Sequence, residues 1–169
     1  MNRPFVRLEP IAQRHAHAVQ RLASDPAIGA TSNVPSPYPE GGAEAWIASE
    51  VAKRAEGRSY AFAVLDSAGH VVGVATLMGV DRETGTAGLG YWIGVPYWGR
   101  GYATAAARAS VRYASDELGV RRIGAACLER NGPSRRVLEK AGFEAVGPGK
   151  PDQRGPILAY EWRADAKAV

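Results

Sequence analysis

Tyr97-Trp98-Gly99-Arg100-Gly101-Tyr102-Ala103-Thr104 joins an apolar, strand-like run (Leu89 to Val95, stopped by Pro96) to a helix-like run beginning near Ala103. Glycines at such a junction let the backbone turn tightly and approach a ligand closely. The helix start adds unpaired N–H groups and the positive end of a helix dipole. Strand, glycine turn and helix N-terminus together make an anion site suited to a diphosphate. Arg100 sets a cation beside it. Further on, Asn131 has the character of a helix N-cap ahead of Pro133, and Ser134 offers a hydroxyl in the first turn of that helix. Cys127, the only cysteine, lies in an apolar run and reads as a small buried hydrophobe rather than a nucleophile. His15, His17 and His70 form no partner pattern, so neither a metal site nor a histidine base is expected.

The elements that must position these groups can be traced along the chain. Phe5 to Leu8 reads as a first strand ended by Pro10, and Ala12 to Ala23 as a helix with Ala16, Val19, Leu22 and Ala23 at helical spacing. Asp25 to Gly42 reads as a proline-rich loop, followed by a helix over Ala43 to Ala55. Tyr60 to Leu65 and Val71 to Met78 form a hairpin through the turn Asp66-Ser67-Ala68-Gly69. A turn at Asp81 to Gly85 leads to a strand at Ala87 to Val95. The helix after the glycine turn runs to about Leu118, stopped by Gly119. Arg122 to Leu128 reads as a strand, Ser134 to Ala141 as a short helix closed by Gly142, and Glu144 to Val146 and Ile157 to Trp162 as final strands. The expected fold class is α/β (α+β): a central, mostly antiparallel mixed sheet flanked by helices.

A chain of 169 residues is expected to form one domain, residues 1–169, large enough to bury a core without staples. A content of 46% hydrophobic and 22% charged residues is that of a soluble globular protein, and a single cysteine excludes an intrachain disulfide. No run is long enough to span a membrane and the N-terminus lacks a signal-peptide core, so a cytoplasmic location is expected. The formal net charge of +4 mildly favours anionic ligands, but the basic residues are dispersed, and no nucleic-acid partner is expected.

Gly90-Tyr91-Trp92-Ile93-Gly94, Trp98-Gly99-Arg100-Gly101-Tyr102-Ala103-Thr104 and Asn131-Gly132-Pro133-Ser134-Arg135-Arg136-Val137-Leu138-Glu139-Lys140-Ala141-Gly142-Phe143 together resemble the GNAT superfamily of acetyl-CoA-dependent N-acetyltransferases. The branch they resemble contains the ribosomal-protein N-terminal acetyltransferases (RimJ/RimL type), and element order matches over roughly Arg7 to Trp162. The resemblance implies acetyl-CoA as cosubstrate, its diphosphate held by main-chain amides from Trp98 to Ala103, with Arg100 and Thr104 in the same motif. It implies that backbone at Ile93, Gly94 and Val95 pairs with the pantetheine arm, an amide near Ile93 polarising the acetyl carbonyl. Asn131 matches a position that hydrogen-bonds the arm, and Ser134 one from which a hydroxyl protonates the leaving thiolate. By the same analogy, the loop Thr31 to Glu40 (Asn33 and Tyr38 in particular), the turn after Met78 and Gly147 to Pro156 line the acceptor pocket. Trp46 there serves the pocket or the core.

The chain departs from that pattern in two places. Trp98 stands where relatives often carry Gln or Arg, and its amide is still expected to serve. Many relatives carry a glutamate just before Gly-Tyr-Trp, but Thr86-Ala87-Gly88-Leu89-Gly90 holds no carboxylate. Glu129 shares a strand face with Cys127 and Asn131 and reads as surface charge, while Asp81 and Glu83 read as turn residues. A site without a strong base suits an α-amine, with a pKa of ~7.7–8.0, better than a lysine amine at ~10.4. Direct transfer to a primary amine is expected, either a protein N-terminus or a small molecule such as an amino acid, polyamine or antibiotic. A non-catalytic acyl-CoA-binding module is the alternative class. Monomer and homodimer are both compatible with the sequence.

Overall fold

The structure, a computed structural model, describes residues 3–165. Its strands are β1 (Arg7–Pro10), β2 (Ser59–Leu65), β3 (Val71–Asp81), β4 (Thr86–Ile93), β5 (Arg122–Leu128), β6 (Glu144–Pro148) and β7 (Ile157–Arg163). They form one seven-stranded sheet in the order β1-β2-β3-β4-β5-β7-β6. Every neighbouring pair is antiparallel except β4 with β5. The mixed, mostly antiparallel sheet expected from the sequence is the one observed.

The helices are α1 (Ala16–Ala23), α2 (Pro26–Thr31), α3 (Gly42–Ala55), α4 (Tyr102–Leu118) and α5 (Gly132–Lys140). Strand alternation sorts them into two layers. Ala61 and Ala63 of β2 face Val19 of α1 and Ile47 of α3 in one buried cluster. Tyr60 and Phe62 of the same strand face the opposite way, joining Val111 and Leu118 of α4 and Leu138 of α5. The sheet is therefore covered on both faces.

Several boundaries differ from the sequence reading. The first strand is Arg7–Pro10 rather than Phe5 to Leu8; Pro10 fits within it because β1 lies at the sheet edge. The first helix opens as a 3₁₀ turn at Gln13–His15 before α1 begins. The stretch read as a proline-rich loop contains α2: Asp25 caps it by accepting from the Ala27 N–H at 2.9 Å, with Pro26 in its first turn. β4 stops at Ile93, two residues short of Val95, because Val95–Tyr97 tightens into a 3₁₀ turn.

α4 and α5 are tied together at the end of α5 remote from Ser134. The Arg108 guanidinium on α4 donates twice to the Lys140 carbonyl at the end of α5, at 3.1 and 2.7 Å. This charge complements the negative end of the α5 dipole. Leu138, 1% exposed, drives the inner face of α5 into the core. Leu138→Ala is expected to destabilise the protein by about 2–5 kcal/mol, measured as a lower urea midpoint at unchanged slope.

Candidate active site

The functional architecture starts from a seam that opens. β4 and β5 pair in parallel over Thr86, Ala87 and Gly88 against Arg122, Ile123 and Gly124, and then part. A cavity of about 760 Å³ occupies the gap, lined on one side by Leu89 to Trp92 and on the other by Ala125 to Leu128. The phase of the ladder on the far side of β4 decides what faces this gap. Ile93 sits opposite Gly73, and the Gly94 N–H donates to the Val72 carbonyl at 2.8 Å. In an antiparallel pair that phase turns the N–H and C=O groups of Leu89, Tyr91 and Ile93 away from β3, toward β5. Beyond Gly88 no residue of β5 pairs with them. An extended ligand arm can therefore complete the sheet there, as an added strand would.

At the end of β4 the backbone reaches the glycine turn. Gly99 and Gly101 have φ of +73° and +84°, left-handed values that glycine adopts without penalty. The first intrahelical bond of α4 runs from the Ala105 N–H to the Gly101 carbonyl at 3.1 Å. The amides of Tyr102, Ala103 and Thr104 precede it, so this helix start holds the donors an anion needs. Trp98, Gly99, Arg100 and Gly101 are all exposed.

Two expectations about this turn need correction. The Trp98 amide is already engaged, donating to the Val95 carbonyl at 3.1 Å, so the open amides begin at Gly99. The Trp98 indole Nε1 donates to the Ile93 carbonyl at 2.6 Å. Backbone pairing with a ligand arm was expected along Ile93, Gly94 and Val95, but the Gly94 amide is spent on β3. The carbonyls of Gly94 and Val95 accept from Tyr97 and Trp98. The edge turned to the gap is Leu89 to Ile93, and of the expected three residues only the Ile93 amide faces it.

Across the gap, α5 presents its N-terminus. Asn131 is its N-cap, with Oδ1 accepting from the Ser134 N–H at 3.2 Å. This leaves the Asn131 side-chain NH₂ as a donor. Ser134 Oγ lies 2.9 Å from Tyr91 Oη, a contact across residues 43 apart in sequence. Burial pushes the Tyr91 phenol up to about 12, outweighing its hydrogen bond to Ser134. The buried Cys127 thiol is likewise raised by burial, so both groups keep their protons near neutral pH. Tyr91, Cys127 and Ser134 all line the same cavity.

The cavity is also lined by Asn33, Val34, Pro35, Tyr38, Trp46, Thr76 and Met78, and by the exposed Lys150 and Asp152 with the half-buried Arg154. Tyr38 and Trp46 also pack against the α1/α3 core cluster, so Trp46 serves pocket and core at once. Arg154 fastens the β6–β7 loop to the segment after α2: it donates to Asn33 Oδ1 at 3.0 Å and to the Ser32 carbonyl, and pairs with Asp152. The Arg154 guanidinium holds the Asp152 carboxyl below the usual carboxylate range. Asp152 is the only carboxylate among the described lining residues.

The remaining candidates fall outside the cavity. Glu129 and Glu83 are exposed, and Asp81 accepts from the Glu83 and Thr84 amides at 2.8 and 3.1 Å as a turn residue. His15 is buried against Glu9, and its Nδ1 accepts from the Ala12 amide at 3.0 Å. His17 and His70 are exposed. Among the described residues no group of three or more His, Cys, Asp or Glu side chains is placed to hold a metal ion. Nor is any helix among them long and apolar enough to cross a membrane.

A glycine cradle at a helix start, a parted β4–β5 seam and a capped α5 facing it define an acyltransferase-type scaffold. The model of the Acetyltransferase (GNAT) domain matches residues 6–144, and the chain belongs to that family. YdaF of Bacillus subtilis (strain 168), which carries the provisional name ribosomal N-acetyltransferase, is 35% identical over 79 residues, 47% of this chain and 43% of that protein. The aligned region spans about half the length of the curated relatives it matches. Among solved structures, RimJ of Mycobacterium smegmatis in complex with CoA-disulfide superposes with a TM-score of 0.84 at 24% identity, covering 97% of this chain and 84% of that one. The spermidine N-acetyltransferase of Vibrio cholerae in complex with CoA and spermine gives 0.80 at 14% identity, covering 94% and 95%. At these identities the structural likeness establishes the fold.

The capping role of Asn131 can be separated from any other. Asn131→Ala removes the acceptor and is expected to cost about 1 kcal/mol of stability, whereas Asn131→Asp keeps it and is expected to be nearly neutral. Equilibrium unfolding of both variants measures the difference.

Proposed function

We propose that the protein is an acetyl-CoA-dependent N-acetyltransferase that passes the acetyl group directly to a primary amine. The observation that carries this reading is the single cavity joining the unpaired edge of β4 to Ser134 on one side and to an acceptor pocket on the other. In this reading the amides from Gly99 to Thr104 hold the diphosphate, with Arg100 beside it. The edge from Leu89 to Ile93 and the Asn131 NH₂ hold the pantetheine arm. The Ile93 amide stabilises the developing oxyanion, and Ser134 donates the proton that the leaving sulfur needs. Residues 1–169 act as one domain, in the cytoplasm.

The charge of the pocket bears on the acceptor. It carries Lys150 and Arg154, and the single carboxylate among its described lining residues is already paired with Arg154. A polyamine would bring further positive charge without a free carboxylate to meet it, at a cost. Tyr38, Trp46, Trp92 and Met78 instead suit an apolar group next to the reacting nitrogen. Asn33, Pro35, Pro39, Lys150 and Asp152 at the mouth are exposed, leaving room for a polypeptide end to approach. We therefore favour an α-amine, a protein N-terminus ahead of a small molecule, and place polyamines last.

Thiol release from acetyl-CoA across N-terminal peptides, lysine peptides, amino acids and polyamines tests the reading. Release is expected with α-amines. CoA binding with silence across the panel would support a non-catalytic acyl-CoA-binding module instead. Gly101→Glu puts a side chain and a negative charge into the cradle, and is expected to weaken CoA binding about tenfold or more by calorimetry.

Because the described lining residues include no histidine and no carboxylate free of an ion pair, kcat/KM for an α-amine is expected to rise about tenfold per pH unit below ~7.7–8.0 and to level off above it. Tyr91 and Cys127, both shifted upward, stay protonated throughout that window and add no limb of their own. A pH–rate profile read between about 6 and 9 checks this. Ser134→Ala is expected to lower kcat about 100-fold with little change in acetyl-CoA affinity; an equal kcat would return Ser134 to a purely helical role.

A further inference from the structure

The half-buried Tyr91 phenol meets Ser134, and the roles assigned above leave it without a task. Its oxygen lies 2.9 Å from Ser134 Oγ and 3.4 Å from the carbonyl oxygen of the same residue. A carbonyl can only accept, so both neighbours are satisfied together when the phenol O–H points to this side and is shared between them. Ser134 Oγ then accepts from Tyr91, and its own proton is free to point elsewhere. In the reverse arrangement the phenol donates to the Ser134 carbonyl alone, at 3.4 Å, and accepts from Ser134 Oγ, which commits the serine proton to Tyr91 rather than to the gap.

From this geometry we infer that Tyr91 is a positioning residue: its hydroxyl fixes the Ser134 rotor so that the serine O–H is aimed into the β4–β5 gap at the departing sulfur. The inference rests on the acetyltransferase reading above. In the step concerned, the acceptor nitrogen bonds the acetyl carbonyl carbon and the carbon–sulfur bond breaks, its electron pair going to sulfur. The proton of Ser134 Oγ moves to that sulfur, while the hydrogen bond from Tyr91 stabilises the charge building on Oγ. The nitrogen sheds one proton to solvent and Ser134 regains one from solvent, so one proton passes in net from nitrogen to sulfur. Tyr91 keeps its proton at every stage, in line with its strongly raised pKa.

The position is well built for such a task. Tyr91 stands on β4 with its backbone groups turned to the gap, between Leu89 and Ile93, which are both buried. Ser134 sits in the first turn of α5, whose own N-cap fixes the serine amide. Strand and helix thus hold the two oxygens from opposite sides, which limits the freedom a hydroxyl pair would otherwise retain.

Tyr91→Phe keeps the ring and removes the hydroxyl. Steady-state kinetics with acetyl-CoA and an active α-amine peptide are expected to show kcat lowered about tenfold and KM for acetyl-CoA within about twofold of wild type. In a double-mutant cycle, Tyr91→Phe is expected to have no further effect in the Ser134→Ala background, because it acts through that hydroxyl. An unchanged kcat, or an equal loss in the Ser134→Ala background, would overturn the inference while leaving the acetyltransferase reading in place. A wild-type protein that turns over no amine would overturn both. Calorimetric binding of acetyl-CoA to each variant establishes that it is folded, and Tyr91→Leu, which also removes the hydroxyl, is expected to repeat the cycle if the Phe variant is unstable.

Discussion

Everything in this site follows from one restriction on sheet geometry: a strand can offer its backbone to a neighbour only on alternate residues. On β4 the even-numbered residues satisfy β3, while the odd-numbered ones look toward β5. Since β5 keeps contact for only three residue pairs, Leu89, Tyr91 and Ile93 carry an unfinished ladder. Backbone groups in a covered sheet ordinarily find partners. In the proposed reading the unfinished stretch is the surface that takes the ligand arm, and its length and direction are set before any side chain is considered.

Side chains then give this surface its chemical character. Along the opposing wall, α5 can bring Ser134 to the gap only because Leu138 anchors one flank of the helix and Arg108 holds its far end. The anion cradle depends on the same economy of backbone groups. The 3₁₀ turn at Val95–Tyr97 uses up the carbonyls of Gly94 and Val95 and the amide of Trp98, delivering the chain to Gly99 with its next amides lacking a backbone partner among the described residues. At the proposed acceptor pocket, two segments remote in sequence meet through Arg154, which ties residues 121 positions apart at Asn33.

Much of this was legible in the residues. Paired strands showed as apolar runs around Asp66-Ser67-Ala68-Gly69, and the observed turn is held by Asp66 Oδ1 accepting from Ala68 and His70. The stop at Gly119 was visible because a glycine after a long periodic helix has one common use, and here it adopts φ +68°. α2 escaped notice because six residues with an internal glycine give too little periodicity, although Asp25 and Pro26 were its proper start signals. Trp98 was misjudged because a sequence motif shows which amides exist, and only the folded turn shows which are already taken. The Tyr91–Ser134 contact could not be read at all, because nothing local in the sequence couples Tyr91 to a serine 43 residues away. Asp152 and Arg154 were contained in the segment expected to line the pocket, but not their mutual neutralisation.

The bond from the Trp98 indole to the Ile93 carbonyl has an entropic meaning. A glycine-containing loop is costly to order, and a ligand that must order it loses affinity in doing so. With its first residue pinned back to the end of β4, though Trp98 as a whole remains 48% exposed, the loop has paid part of that ordering cost during folding. The indole at this position therefore adds a side-chain tether to a turn whose backbone bonds are already made, and the stability of the sheet sets how ready the cradle is.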